Sequence, residues 1–230
     1  MNGRADVERL RAQLRLYFVM GSANCAGDPL ETAAQGIAGG VTMFQFREKG
    51  AGSLEGEAKL RLAGRLRALC RAKGVPFLVN DDVELALSVE ADGVHVGQDD
   101  ESVAAVRRRI GGKLLGVSVH TVEEARRAAE EGADYFGIGP IYPTATKADA
   151  KPAAGTALIE RLRAEGWTTP IVGIGGIDAS NAGGVIRAGA DGVAVVTALG
   201  RADSIERSAR ELLRSVASAR PAGGSGGYDT

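Results

Sequence analysis

A single (β/α)8 barrel of the TIM type, with one extra helix at its N-terminus, is the α/β architecture that this 230-residue sequence predicts. Three observations carry it. Short runs rich in Val, Ile, Leu and Gly recur eight times, each followed by a segment of helical period. No Pro/Ser-rich linker separates them, and the length is close to the roughly 250 residues typical of such barrels. An open doubly wound sheet is the competing arrangement, but eight uninterrupted alternating units favour closure. The catalytic barrel is assigned to residues 1–220, and the Gly-rich tail at 221–230 (PAGGSGGYDT), which has no apolar period, is expected to be disordered.

The elements follow in order. The segment before Leu16 reads as the extra helix. The strands are Leu16–Gly21, Val41–Arg47, Pro76–Asn80, Gly93–Gly97, Leu114–His120, Tyr135–Ile141, Ile171–Ile177 and Gly192–Ala198. Covered by the barrel interior on one face and helices on the other, such strands are nearly continuous apolar runs. The segments between them carry the helical period. Leu62, Leu66, Leu69 and Cys70 form one apolar stripe, and Ile205, Ala209, Leu212, Leu213 and Val216 another, with Arg207, Arg210, Glu211 and Arg214 mostly on the opposite side. Helices lead into strands through Gly39-Gly40-Val41, Ala91-Asp92-Gly93, Gly132-Ala133-Asp134 and Gly189-Ala190-Asp191-Gly192. Glycine tolerates the left-handed conformation that ends a helix, so much of the load of 33 glycines is turn chemistry at the barrel bottom.

Composition excludes several function classes. Lys and Arg number 28 against 29 Asp and Glu, for a net charge of -1. No broad positive field exists to attract nucleic acid or anionic lipid. No apolar run approaches the roughly 18 residues of a spanning helix, and the charged start (Asp6, Glu8, Arg9, Arg11) has no signal-peptide core. The expectation is a soluble, cytoplasmic enzyme of small molecules, with no nucleic-acid or membrane partner and with a homo-oligomer allowed. Cys25 and Cys70 stand alone, without a CxxC or Cys/His cluster, and are expected to be reduced and structural.

In a parallel barrel the reactive groups sit at the C-terminal ends of the strands. The second strand turns polar there, as Gln45-Phe46-Arg47-Glu48-Lys49, and alternation puts Gln45, Arg47 and Lys49 opposite Phe44 and Phe46. With the phenylalanines against helices, an amide and a cation face the mouth. A desolvated Arg47 requires either an anion, for which a diphosphate suits its fork, or an internal salt bridge to Glu48 or Asp81. The third strand ends Asn80-Asp81-Asp82 and the fourth is followed by Gln98-Asp99-Asp100. Carboxylates on neighbouring strands repel unless a cation bridges them, and oxygen ligands beside a phosphate site suit Mg2+. Asp is also a favoured helix N-cap, and both pairs precede helices, so one member of each can cap while the other binds metal. Spacing leaves open which.

Ser118 and His120 share a face of the fifth strand; His95, mid-strand, reads as structural. The sixth loop, Pro140 to Gly155, is long and sets Thr144 and Thr146 beside Lys147. The last two strands run into Gly173-Ile-Gly175-Gly176 and Val196-Thr197, the usual place for phosphate held by backbone N–H groups. Two anion sites at one mouth suggest the joining of two phosphorylated small molecules. No obvious general base accompanies them, which fits a nucleophile that needs no deprotonation.

The motifs YFVMGS, GGVTMFQFREKG, PFLVNDD, ADGVHVGQDD, LGVSVH, GADYFGIGPIYPTATKADAK, PIVGIGGI and AGADGVAVVTA, in this order, resemble the thiamine phosphate synthase family from Tyr17 to Ala198. The resemblance implies a transferase that condenses 4-amino-2-methyl-5-hydroxymethylpyrimidine diphosphate with thiazole phosphate, giving thiamine phosphate and pyrophosphate. It implies catalytic Arg47, Lys49, Asn80, Ser118 and Lys147, with the pyrimidine diphosphate on these and on Gln45, Phe46 and Glu48. It implies Mg2+ on Asp81 and Asp100, and thiazole phosphate on Thr144, Ala145, Thr146, Gly176, Val196 and Thr197. The implied mechanism is dissociative, through a pyrimidine carbocation captured by the thiazole nitrogen. Ala145 stands where members of the family often carry a polar or charged residue. Two alternatives share the barrel: a thiazole tautomerase using His120 as base, and a non-catalytic thiazole-phosphate-binding regulator. Neither has a use for the full set of diphosphate and metal residues.

Overall fold

A computed structural model describes residues 7–144 and 152–220; the Gly-rich tail and the loop residues Ala145, Thr146 and Lys147 lie outside them. Eight parallel strands form one closed ring: β1 (Leu16–Met20), β2 (Met43–Phe46), β3 (Phe77–Asn80), β4 (Gly93–Val96), β5 (Leu114–Val119), β6 (Tyr135–Ile138), β7 (Ile171–Ile174) and β8 (Gly192–Val195), with β8 paired to β1. Closure decides against the open sheet. Every expected strand is present, shortened mainly where its polar or glycine end leaves the ladder for the rim.

Alternation divides each strand between two cores. Inward, Tyr17, Val19, Met43, Leu78, Tyr135, Val172 and Ala194 fill the lumen, and Leu10 and Leu14, from and just beyond the N-terminal helix α1 (Val7–Gln13), join them as a plug. Outward, Phe18, Phe44, Phe46, Phe77 and Phe136 meet the surrounding helices, with Phe44 stacked on Phe77 at 6.0 Å between ring centroids. Full burial of each such ring is worth roughly 2–3 kcal/mol.

The ring of helices comprises α2 (Pro29–Ala38), α3 (Gly56–Ala72), α4 (Val83–Ser88), α5 (Val103–Ile110), α6 (Val122–Glu130), α7 (Ala157–Ala164), α8 (Ala182–Arg187), the short α9 (Thr197–Gly200) and α10 (Ile205–Ala219). The expected stripes face inward. Leu62, Leu66 and Cys70 of α3 are buried with Leu69 at the edge, as are Ala209, Leu212 and Val216 of α10 with Ile205 and Leu213 at theirs. Arg207 and Arg210 pair with Glu211 and Glu206 on the outer face. Both cysteines are free thiols, and burial pushes that of Cys70 up to about 12.

At the barrel bottom the helix-to-strand steps do more than turn. Asp92, Asp134 and Asp191, each just before an even-numbered strand, use one carboxylate oxygen to accept a backbone amide at the start of the preceding strand, from Phe77, Leu115 and Ile171, all at 2.8 Å. Their own backbone N–H groups donate back to the carbonyls of the same three residues, again at 2.8 Å. Arginines on the helices between complete the clasp. Arg107 of α5 donates to Gly132 O, Lys113 O and Asp134, and Arg163 of α7 repeats the pattern with Gly189 O, Thr169 O and Asp191. Arg67 of α3 makes the carbonyl contact alone, to Glu90 O. Asp191 also receives Arg11 of α1, while its carbonyl receives Arg220 beyond α10, so the first and last helices are tied to one residue. Glycine chemistry explains only part of these steps. Gly132 and Gly189 have positive φ, but at Gly93 the constraint is space, since a Cβ there would lie 2.3 Å from Leu114 O.

Asp191→Ala is therefore expected to lower the unfolding free energy by about 3 kcal/mol, because it leaves part-buried guanidiniums without their carboxylate. Arg207→Ala, on an exposed helix face, is expected to leave the urea midpoint where it was. Coincident midpoints for the two variants would refute the clasp.

Candidate active site

The polar end of β2 leaves the ladder in stages. Gln45 points into the lumen and is buried, while the side chain of Phe46 packs outward on Phe77. Arg47 extends the pairing by one bond, its N–H donating to Met20 O at 2.8 Å. Glu48 turns back to the β1 loop, where its carboxylate accepts from Ser22 N, Ser22 Oγ and Leu54 N at 2.8, 2.5 and 2.7 Å. The side chains of Phe46 and Glu48 thus serve packing and loop closure, although both residues line the cleft. Asp81 is likewise engaged, with Lys49 Nζ at 2.9 Å. Neither internal salt bridge considered for Arg47 forms; among the described residues its half-buried guanidinium faces no carboxylate partner.

The first acidic pair divides its labour through the backbone. Asp82 caps α4, its carboxylate accepting from Leu85 N at 2.9 Å and from Lys59 at 2.7 Å. Burial works against its charge, but these two donors outweigh it and hold the carboxyl below its ordinary range. Asp81 is left-handed (φ 61°), a conformation that L residues adopt at a cost and that turns its carboxylate to the rim. In the second pair neither aspartate caps: Ser102 caps α5, accepting from Ala105 N. The capping role that the sequence left open to an Asp of each pair is realised only in the first, because the chain runs two residues past Asp100 before α5 begins. Asp99 is exposed, whereas Asp100 folds back to accept from Gly97 N at 2.7 Å. Burial, and then the neighbouring carboxylate of Asp81, push Asp100 above the ordinary carboxylate range. Lys49 is held above its usual value by its bond to Asp81.

A cleft of about 250 Å³ opens over this rim, with Lys49, Lys59, Asn80, Asp81 and Asp100 among its walls. Two mutually repelling carboxylates with hard oxygens are what Mg2+ recruits when phosphate and water complete its shell. Among the described residues no third His, Cys, Asp or Glu joins them, so the donor set suits a cation shared with a ligand rather than an all-protein cage.

The opposite arc of the barrel is built from backbone. Loop six is stapled to loop seven by Ile141 N to Ile174 O and Tyr142 N to Gly175 O, at 2.9 and 3.0 Å. Gly175 and Gly176 have positive φ, and a Cβ on Gly176 would lie 2.6 Å from Pro143 O, so only glycine fits this close approach. Asn181 Nδ2 holds Gly176 O at 2.9 Å. Val196 precedes α9, whose first residue Thr197 is exposed. Thr144 ends the described part of loop six; Ala145, Thr146 and Lys147 fall beyond it.

Ser118 and His120 part company at the end of β5. His120 is drawn to the start of α6, its Nδ1 at 3.1 Å from Glu124 Oε2 and its backbone N–H donating to the same oxygen at 2.7 Å. Ser118 instead meets His95 Nε2 at 2.9 Å. His95 Nδ1 meets the Tyr135 hydroxyl at 2.9 Å, Tyr135 meets Tyr17 at 2.9 Å, and Tyr17 accepts from Gln45 Nε2 at 2.7 Å. Gln45 of β2 and Ser118 of β5 are thereby joined through the barrel interior. The reading of His95 as structural missed this connection, and it passed over both tyrosines as part of apolar runs. A signal was present: alternation places Tyr17, Gln45, His95, Ser118 and Tyr135 all on the inward face.

Residues 16–199 match the protein family described as thiamine monophosphate synthase. The chain is 54% identical over 213 residues to a thiamine-phosphate synthase of Bacillus cereus (strain B4264), covering 93% of this chain and 97% of that one. It is 53% identical to a protein of the same name from Bacillus thuringiensis (strain Al Hakam), covering 93% and 96%. Among solved structures, a thiamine phosphate pyrophosphorylase from Pyrococcus furiosus superposes with a TM-score of 0.82 at 32% identity, over 91% of this chain and 98% of that one.

The left-handed backbone at residue 81 separates chemistry from folding. Asp81→Asn, whose side chain tolerates this conformation, is expected to keep the thermal midpoint, whereas Asp81→Val is expected to cost about 1–2 kcal/mol. Equal midpoints in calorimetry would show that the strain is not real.

Proposed function

The chain belongs to the thiamine monophosphate synthase family and is a transferase with thiamine-phosphate synthase activity; from that premise we propose how its residues share the reaction. The diphosphate of 4-amino-2-methyl-5-hydroxymethylpyrimidine binds at the β2–β5 arc. Arg47, Lys49 and Lys147 neutralise its phosphates, and Gln45, Asn80 and Ser118 orient it. Phe46 and Glu48 support that arc by packing and by closing its loop. Thiazole phosphate binds at the β6–β8 arc, on Thr144, Ala145, Thr146, Gly176, Val196 and Thr197. Asp81 and Asp100 hold Mg2+, which when bound supplies charge neutralisation for the departing pyrophosphate.

The single observation that carries this reading is the rim of β2, β3 and β4. A half-buried guanidinium without a carboxylate partner among the described residues stands on the same rim as two carboxylates that repel each other. The guanidinium lacks an anion and Lys49 offsets the carboxylate pair from one side only, and a metal-bound diphosphate satisfies both.

The chemistry is a substitution at the pyrimidine methylene carbon. Its C–O bond breaks, both electrons leave with pyrophosphate, and the positive charge is delocalised into the aminopyrimidine. The thiazole nitrogen then donates its lone pair to that carbon, forming the C–N bond of thiamine phosphate. Arg47, Lys49 and Lys147 stabilise charge as it develops on the leaving group. No proton is removed from the nucleophile, so no base is required, and the engagement of His120 with Glu124 is consistent with that. The dependence on charge stabilisation rather than proton abstraction favours synthesis over a tautomerase with His120 as base. The retained Asp81, Asp100, Asn80 and Lys49 argue likewise against a purely regulatory binder.

The enzyme is assigned to the cytoplasm and to small-molecule substrates, without nucleic acid or membrane and with a homo-oligomer compatible. Balanced charge supports this, and among the described residues no helix is long and apolar enough to cross a membrane.

The test incubates the protein with both substrates and Mg2+ and measures thiamine phosphate and pyrophosphate. Arg47→Ala and Asp81→Asn are expected to lose at least about 100-fold in turnover, on the scale of one lost transition-state donor, while thiazole phosphate still binds. Undiminished turnover by Asp81→Asn, or by the wild type in chelator, would refute the metal-diphosphate assignment.

A further inference from the structure

The five polar groups that cross the barrel have a direction, and one end sets it. An amide nitrogen can only donate, so Tyr17 Oη accepts from Gln45 Nε2. Tyr17 and Tyr135 are buried at 1% and 0% exposure, and the Tyr17 proton needs an acceptor; Tyr135 Oη lies at 2.9 Å. Tyr135 must then give its single proton to His95 Nδ1. An imidazole accepting at Nδ1 carries its hydrogen on Nε2, which donates to Ser118 Oγ. With its oxygen accepting from the ring, the Ser118 hydroxyl has its own proton to give to the mouth.

The backbone is shaped around this chain. A Cβ on Gly116 would lie 2.2 Å from the Tyr135 ring and 2.4 Å from His95 Nδ1, and one on Gly137 would lie 2.9 Å from His95 Cε1. Both glycines are buried mid-strand, with φ outside the left-handed region, so a turn does not explain them. They leave the room that the His95 and Tyr135 rings occupy. Burial also raises both phenols far above their ordinary range, so each remains a proton donor at any working pH.

We propose that Tyr17, Tyr135 and His95 are positioning residues that lock Ser118 as a hydrogen-bond donor to an acceptor atom of the pyrimidine diphosphate, with His95 held as its Nε2–H tautomer. The role of Ser118 as a substrate contact rests on the function proposed above; the tautomer does not. Reversing the chain would leave Ser118 donating into the ring and offering only lone pairs to a ligand rich in them. The direction of four bonds in the interior thus sets the polarity of one contact at the mouth.

The protein has two histidines, so nitrogen-15 long-range correlation spectra of the full chain resolve His95 once His120→Gln assigns the other signal. The expected result is an unprotonated Nδ1 and a protonated Nε2 at His95. Tyr135→Phe, which keeps the ring, is expected to lose that single tautomer and to raise KM for the pyrimidine diphosphate about tenfold, with KM for thiazole phosphate unmoved. Tyr17→Phe cuts the chain one link earlier and is expected to act in the same direction, which keeps the test available if Tyr135→Phe folds poorly. In a Ser118→Ala background the effect of Tyr135→Phe on KM should vanish, as coupling through one path requires. A protonated Nδ1 in the wild type, or additive effects of Ser118→Ala and Tyr135→Phe, would overturn the proposal. Failure of the wild type to make thiamine phosphate would instead overturn the assigned reaction, and the tautomer spectrum would still decide the direction of the chain.

Discussion

The carboxylates of Asp92, Asp134 and Asp191 are the constraint on which the barrel depends. Each joins an even strand to the odd strand before it by a pair of hydrogen bonds, one through the side chain and one through the backbone. Side chains alternate with a period of two, so a slip of one residue would exchange lumen and surface along a whole strand. Pinning β3 to β4, β5 to β6 and β7 to β8 at the bottom therefore decides what points inward at the top. Gln45, His95 and Ser118 reach a common interior because the register beneath them does not drift. The bonds are shared with Arg107 and Arg163, so the strands and the helices that cover them are fixed by the same atoms.

The rim converts that precision into electrostatics. Asp81 and Asp100 come from successive strands and repel each other, and Lys49 offsets part of the repulsion from one side only. Placing Arg47 nearby without a carboxylate of its own raises the potential for an anion without collapsing it into an internal pair. Glu48 would be the natural partner by sequence, yet its two oxygens are committed to Ser22 and Leu54. The loop closure that fixes the β2 rim is thus the same contact that keeps Arg47 available.

Much of this was legible in the sequence, for identifiable reasons. Eight apolar runs reveal eight strands because parallel strands are buried on both faces, and polar residues interrupting those runs reveal the rim. The division of each Asp pair was not legible, since it turns on a left-handed backbone at Asp81 and on where α5 begins. The carboxylate clasps were hidden because their partners lie 15 to 20 residues apart and the Ala-Asp step also reads as a helix ending. The interior chain was hidden because tyrosine within an apolar run looks like packing; only the closed ring brings Tyr17 and Tyr135, from β1 and β6, within 2.9 Å.

Gly116 and Gly137 carry a consequence for how this barrel can change over evolutionary time. Each glycine is a vacancy matched to a ring on another strand, so positions 95, 116, 135 and 137 are not four independent sites but one correlated unit. A larger residue at 116 is tolerable only after the rings at 135 and 95 have shrunk or moved, and small residues in their place would leave a void in the lumen. Paths between two such solutions pass through intermediates that are overpacked or hollow. Lineages of this fold should therefore exchange the four residues together or keep all of them, while the helix surfaces around them diverge freely.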